Sequence, residues 1–304
     1  MRLRIIVIGK QGQVAQALVE RGLGQQVGIV CIGRPEVDLT EPDTVARAIE
    51  AARGSVIVNA AAYTAVDKAE TEPDIALRVN AGGAQAVAEA AARTGRPIVQ
   101  ISTDYVFDGA LERPYREHDP VGPVNVYGRT KLEGERAVAL ANPRHVIVRT
   151  SWVYSPFGAN FIKTMLRLGL TRRSIQVVGD QWGAPTSAFD IADALLHIAR
   201  RLVAQPENTA LHGVFHMTAS GETNWAGFAA VVFEQASRHG RAPVQIEPIA
   251  AAQYPTPARR PANSRLDVGH LQNVYCVALP EWRVSVRACV SRLMSLPEAE
   301  RPQA

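Results

Sequence analysis

The chain has 304 residues, 47% of them hydrophobic, 20% charged and 6% aromatic, which is the balance of an ordinary globular protein. Its 33 basic residues stand against 29 acidic ones, a net charge of +4, and only four of the basic residues are lysines (Lys10, Lys68, Lys131 and Lys163). The arginines are scattered among acids with no aromatic ladder beside them, even at Arg172-Arg173, Arg200-Arg201 and Arg259-Arg260, so the composition argues against a nucleic-acid partner.

Short β-branched runs recur along the first half at Leu3–Ile8, Val27–Ile32, Ser55–Val58, Ile98–Ile101 and Val146–Val148. Helix signals lie between them. Thr40 before Glu41-Pro42-Asp43 predicts an N-cap with proline and acid in the first turn, and a helix to about Ala52. Thr71 before Glu72-Pro73-Asp74 repeats the signal, with Gly95 and Pro97 closing that helix. Asn125 is placed to cap the next, which ends before Pro143. Continuous apolar strands alternating with helices predict an α/β fold, a Rossmann-type doubly wound parallel sheet. Beyond residue 150 the regularity loosens. Ile175–Val178 reads as one more buried strand and Asp190–Leu202 as one more helix, among loops punctuated by proline. The expected organisation is a dinucleotide-binding domain over 1–150, with 175–202 returning to it. A smaller substrate-binding lobe is expected over 151–296, and a tail over 297–304.

No apolar stretch approaches the roughly 20 residues that span a bilayer. The run from Met1 into Ile5 lacks the apolar region and cleavage site of a signal peptide. Cys31, Cys276 and Cys289 are far apart and odd in number, which fits reduced thiols. The expectation is a soluble cytoplasmic protein without a membrane partner, a monomer or homodimer.

Gly9-Lys10-Gln11-Gly12-Gln13-Val14-Ala15 joins the first strand to the first helix. Gly9 permits a tight turn, Gly12 lets backbone approach a pyrophosphate, and the small Ala15 lets helix pack on strand. The helix N-terminus supplies N–H groups and a positive dipole. The spacing is G-x-x-G-x-x-A rather than the commoner G-x-G-x-x-G, and a strand-to-helix turn also uses glycine for steric reasons alone. After the second strand, where an acid would meet the ribose hydroxyls of NAD, stands Gly33-Arg34-Pro35. An arginine suits a 2′-phosphate and favours NADPH, with NADH left open; Asp38-Leu39 is placed to line the adenine.

Tyr127 and Lys131 lie at i and i+4, on one face of a predicted helix. Thr103 follows the strand Ile98–Ile101 at its carboxyl end, where open α/β sheets bind ligands. Together they suit ketone reduction, in which a developing alkoxide needs a positioned proton donor. Lowering a tyrosine from a pKa of about 10 to about 7 takes roughly 4 kcal/mol of phenolate stabilisation, which a nearby ammonium can supply. Y-x-x-x-K also occurs in helices without any catalytic role. Trp152 follows the strand Val146–Val148 at the ligand end, where it is either core or a substrate contact. Arg260, after the stiff Tyr254-Pro255-Thr256-Pro257, is either a substrate diphosphate clamp or half of a surface ion pair. His212 and His216 sit on a predicted strand about 13 Å apart, too far to share a metal. Glu222-Thr223-Asn224-Trp225 reads as the start of a surface helix.

The chain resembles the extended short-chain dehydrogenase/reductases, and within them the branch that reduces dTDP-linked 4-keto-6-deoxy sugars. The resemblance runs from about residue 3 to 295. Its motifs are Gly9 to Ala15, Asn59-Ala60-Ala61-Ala62-Tyr63-Thr64-Ala65-Val66-Asp67, Ser102-Thr103-Asp104-Tyr105-Val106-Phe107 and Asn125-Val126-Tyr127-Gly128. Further on come Arg149-Thr150-Ser151-Trp152-Val153-Tyr154, Gly183-Ala184-Pro185-Thr186 and Arg260-Pro261-Ala262-Asn263-Ser264-Arg265-Leu266. The resemblance implies that Tyr127 is the general acid, that Lys131 binds the nicotinamide ribose and tunes the tyrosine, and that Thr103 meets the substrate carbonyl. It implies substrate contacts for Asp104 and Trp152, and dinucleotide contacts along Gly12-Gln13-Val14, Asp38-Leu39 and Ala61-Ala62-Tyr63. The implied reaction is NADPH-dependent reduction of dTDP-4-dehydro-β-L-rhamnose. A differently configured sugar and a non-catalytic dinucleotide-binding regulatory subunit stay as alternatives. Some relatives bridge subunits through a metal on an acid of the first helix. Gln16-Ala17-Leu18 offers no acid before Glu20, so no metal is carried over.

Overall fold

The computed structural model describes residues 3–296. The expected tail, 297–304, lies outside the described residues. Six strands form one parallel sheet: β1 (Arg4–Ile8), β2 (Gly28–Ile32), β3 (Val56–Asn59), β4 (Ile98–Thr103), β5 (His145–Thr150) and β6 (Gly213–His216), in the order β2-β1-β3-β4-β5-β6. The chain builds outward from β1 to β2, then returns to β3 on the other side of β1. That reversal leaves a crevice at the carboxyl ends of β1 and β3.

The alternation of side chains along each strand explains the two layers of helices. Ile5, Val7, Val56, Val58, Val99, Val146 and Val148 point to one face, against α1 (Gln13–Gly24) and the long helix Ala188–Ala204. Ile6, Ile8, Ile57, Ile98 and Ile147 point to the other, against α2 (Pro42–Ala51), α3 (Ala84–Arg93) and α4 (Val126–Ala141). Asn125 caps α4 as expected, accepting the Gly128 N–H at 2.8 Å. Thr40 does not cap α2: the N-cap is Glu41, and the Thr40 hydroxyl turns back to Asp38 Oδ1 at 2.8 Å. The helix expected from Thr71 is N-capped by Glu72, and it runs Pro73–Leu77 before widening into a π-helical stretch, Arg78–Gly83, that leads into α3.

The segment 175–202 divides between the two parts of the molecule. Ala188–Ala204 packs on α1 under the main sheet. Ser174–Val178 stays outside it and pairs in parallel with Gln245–Ile249. The sixth place in the sheet belongs to β6, whose partner is β5. A second apolar cluster, including Tyr154, Ile162, Phe228, Val232, Trp282 and Val290, gathers the helices Phe161–Leu168, Trp225–Arg238 and Trp282–Ser295 beside the carboxyl ends of the strands. Among the described residues no helix is long and apolar enough to cross a membrane.

Candidate active site

A cleft of about 1170 Å³ runs from the carboxyl end of β1 to the second apolar cluster. At its first end Gly9 has φ +118°, a conformation that side-chain-bearing residues rarely adopt, and its N–H donates to Ile32 O at 2.7 Å. Gly9, Gln11, Gly12, Gln13 and Val14 line this end, with Gly12 as the N-cap of α1 and no side chain capping the helix. Backbone N–H groups and the helix dipole are therefore left for an anionic ligand. Arg34 stands exposed on the rim. Its charge helps hold the Asp38 carboxyl below the usual range, after the two hydrogen bonds from Thr40. Leu39, Ala61, Ala62 and Tyr63 complete the wall. The Tyr63 phenol donates to Glu72 at 2.6 Å, and its N–H donates to Asn80 Oδ1 at 2.8 Å. A glycine turn, an open helix N-terminus and a cationic rim fit a dinucleotide's adenosine and phosphates.

Gln13 belongs to both ends of the cleft. Its backbone opens α1, while its side-chain oxygen accepts from Ser155 at 2.8 Å and Asn160 at 3.0 Å. The loop bearing Gly158 and Ala159, which also line the cleft, is thereby tied to the glycine turn.

Midway, Thr103, Asp104, Tyr127 and Lys131 meet. Thr103 ends β4 and is buried; its hydroxyl accepts from Tyr105 N–H and donates to Asp104 Oδ1, both at 3.1 Å. Tyr127 and Lys131 come from the first turns of α4, which can sit this close to the turn Asp104–Val106 after β4 because residue 128 is glycine. A Cβ there would lie 2.1 Å from the Tyr105 carbonyl. The Tyr105 and Tyr127 rings meet edge to face, their centroids 5.7 Å apart. Lys131 is buried and donates through Nζ to Ile101 O at 2.7 Å.

The electrostatics depart from the expected lowering of the phenol. Burial pushes Tyr127 above the ordinary tyrosine value, the Asp104 charge adds to it, and the Thr103 hydroxyl opposes. Burial also brings Lys131 down to about 8, opposed by the Glu135 carboxylate. Asp104 is pushed up to about 7 by burial against the hydroxyls of Ser264 and Thr103. Desolvation is the largest cause of both the Tyr127 and the Lys131 shifts.

Sequence reasoning missed the support behind this centre. Glu135, one turn after Lys131, accepts from Arg149 of β5 at 2.6 Å and from Ser102 at 2.5 Å, with both partners of the ion pair buried. The spacing from Lys131 to Glu135 was available as a signal; the partner on β5 was not.

At the far end Trp152 and Trp225 line the cleft. Trp152, read from the sequence as core or as a substrate contact, borders the cleft and also packs against the second apolar cluster. Trp225 starts a helix, as expected, but faces the cleft rather than only the surface. Arg260 is set apart from the other expected site residues. It does not line the cleft, and its two terminal nitrogens donate to the Asp67 carboxylate at 3.0 and 2.8 Å, forming the ion pair of the second reading. His216 lies buried in β6, its Nδ1 3.1 Å from Tyr115 O.

A parallel sheet with a glycine turn at β1, a hydroxyl closing β4, and Tyr-x-x-x-Lys on the facing helix defines an NAD(P)H-dependent reductase of the extended short-chain dehydrogenase/reductase class. The family model described as the RmlD substrate binding domain matches residues 2–295. The chain is 51% identical over 292 residues to the dTDP-4-dehydrorhamnose reductase of Sinorhizobium fredii, covering 96% of this chain and 98% of that protein. Among solved structures, the dTDP-4-dehydrorhamnose reductase of Clostridium acetobutylicum matches with a TM-score of 0.87 at 36% identity, over 96% of this chain and 99% of that one. The Bacillus anthracis reductase, solved in complex with NADP, matches with a TM-score of 0.88 at 33% identity, over 96% and 100%. The chain belongs to the dTDP-4-dehydrorhamnose reductase family.

Proposed function

We propose that the protein reduces the 4-keto group of dTDP-4-dehydro-β-L-rhamnose with NADPH to give dTDP-L-rhamnose. The observation that carries this reading is the convergence of Thr103, Tyr127 and Lys131 on one cleft whose other end is an open helix N-terminus with Arg34 on its rim. The relatives named for this reaction, and the NADP held by the Bacillus anthracis structure, support the substrate and cofactor. NADPH, when bound, supplies the hydride.

The protein's own groups handle the proton. The Thr103 hydroxyl orients the substrate carbonyl, and Tyr127 donates its phenolic proton to the oxygen as charge develops on it. The Tyr127 phenol arrives protonated at neutral pH, as a general acid must, and a neighbouring positive charge is needed to offset the acidity that burial takes from it. Lys131, cationic below about 8, stabilises the phenolate left behind and binds the nicotinamide ribose. Asp104 and Trp152 hold the sugar. Gly9, Gly12, Gln13, Val14, Asp38, Leu39, Ala61, Ala62 and Tyr63 hold the dinucleotide, and Arg34 meets its 2′-phosphate.

The test is to mix purified protein with the keto-sugar nucleotide and NADPH, follow cofactor absorbance, and identify the product by NMR. Consumption of NADPH with a rhamnose product is expected. A differently configured product would change the sugar, and dinucleotide binding without turnover would make the protein a regulator.

A further inference from the structure

The backbone of Trp152 stands at φ +49°, a left-handed conformation unfavourable for a bulky residue and one that must be imposed by its surroundings. Two neighbours hold the ring that this backbone presents. On one side is Gly183, where an added Cβ would lie 2.6 Å from the Trp152 indole, so the ring occupies the space of a missing side chain. On the other, Trp225 stacks on Trp152 with ring centroids 3.7 Å apart and planes 14° from parallel. Trp225 is itself braced by Phe161, 4.8 Å away between centroids, and its mobility is further limited by its place at the first turn of a helix capped by Asn224. Both indoles border the cleft, at the end opposite the glycine turn.

We propose that Trp225 is a positioning residue, which fixes the Trp152 indole as a rigid wall for the sugar of the nucleotide-sugar substrate. Trp225 acts through Trp152 and carries no chemistry; the inference rests on the functional reading above. A ring already held in its bound orientation loses no rotamer freedom when the substrate arrives, so the contribution falls on substrate affinity rather than on hydride or proton transfer.

The experiment compares wild type, Trp225→Ala and Trp225→Phe. The chain has four tryptophans, and among the described aromatic contacts only Trp152 and Trp225 stack indole on indole. The wild type is expected to show the far-ultraviolet circular-dichroism couplet of a stacked indole pair, and both variants are expected to lose it. In Trp225→Ala, KM for the sugar nucleotide rises by about threefold to tenfold, the range that one aromatic contact supplies. KM for NADPH stays put, and kcat/KM falls mainly through KM. Trp225→Phe, which keeps a flat ring over Trp152, returns KM toward wild type although the couplet stays lost. A merely structural role would lower folded content and both KM values together, without rescue by phenylalanine. Loss of the couplet with unchanged sugar-nucleotide KM overturns the proposal, as does a wild type without the couplet. Absence of turnover in the wild type would instead sink the functional reading. In that event the couplet, with quenching of tryptophan fluorescence by dTDP-rhamnose in wild type against Trp225→Ala, decides the proposal.

Discussion

From Gly9 to Leu39 the cleft is shaped mainly by main chain: a glycine turn at φ +118°, an uncapped helix N-terminus, and a wall continued by small residues at Ala61 and Ala62. From Thr150 to Trp225 it is shaped by side chains, including two stacked indoles and a glutamine tether. On the proposed reading the first region recognises phosphates, which any correctly placed N–H can bind, so sequence identity there matters only at the glycines and the rim cation. On the same reading the second recognises one sugar, and it is built from particular rings and amides brought together from distant segments. Between them stands the Tyr127 centre, whose helix the buried Glu135–Arg149 pair ties to the sheet.

Four measurements break or sharpen this contrast. Removing the proton donor should have the largest effect. Tyr127→Phe is expected to lower kcat by about 10²- to 10⁴-fold with unfolding temperature and NADPH binding unchanged; a variant that keeps full turnover would move the chemistry to another group. Next comes the tie behind the centre. Glu135→Ala leaves the Arg149 guanidinium buried without its partner, and should cost about 3–5 kcal/mol in denaturant unfolding. A loss near zero would mean that α4 is held by packing alone.

A smaller effect appears against pH. The folded state keeps a proton on Asp104 up to about 7, whereas the unfolded chain releases it near 3.8. The unfolded state thus binds fewer protons across that window. The contribution of this group to stability is present at low pH and is lost as pH rises through the window. Wild type should lose stability relative to Asp104→Asn between those values, by up to a few kcal/mol, and run parallel to it above them. Parallel curves throughout would show that water reaches the carboxyl. The smallest effect is at the rim: Arg34→Ala should weaken NADPH by about tenfold and leave NADH unchanged, whereas equal weakening of both would move 2′-phosphate recognition elsewhere.

Much of the cofactor side was legible in the chain. The strands from Leu3 to Val148 stand out because parallel strands buried on both faces are apolar without interruption, and the glycine turn, Thr103 and the Tyr127–Lys131 pair carry their spacing locally. The strand Ser174–Val178 has the same apolar look and joined a different sheet, since a short run does not encode its pairing partner. Trp225 read as a helix start because a cap motif is local, while the ring's stacking partner lies 73 positions earlier. Arg260 had two readings, and its pairing with Asp67, 193 positions earlier, was not visible in the sequence.

By itself, then, the sequence determined the layered α/β order, the glycine turn, and which residues could carry a proton, because these follow from periodicity, backbone freedom and side-chain chemistry at fixed spacing. Tertiary structure alone decided that burial raises the Tyr127 phenol and lowers the Lys131 ammonium, that Glu135 answers Arg149, and that Gly183 and Trp225 clamp Trp152. Each of these depends on desolvation or on contact between segments far apart in the chain. Neither is a property of any window of sequence, only of the three-dimensional environment that the whole fold creates.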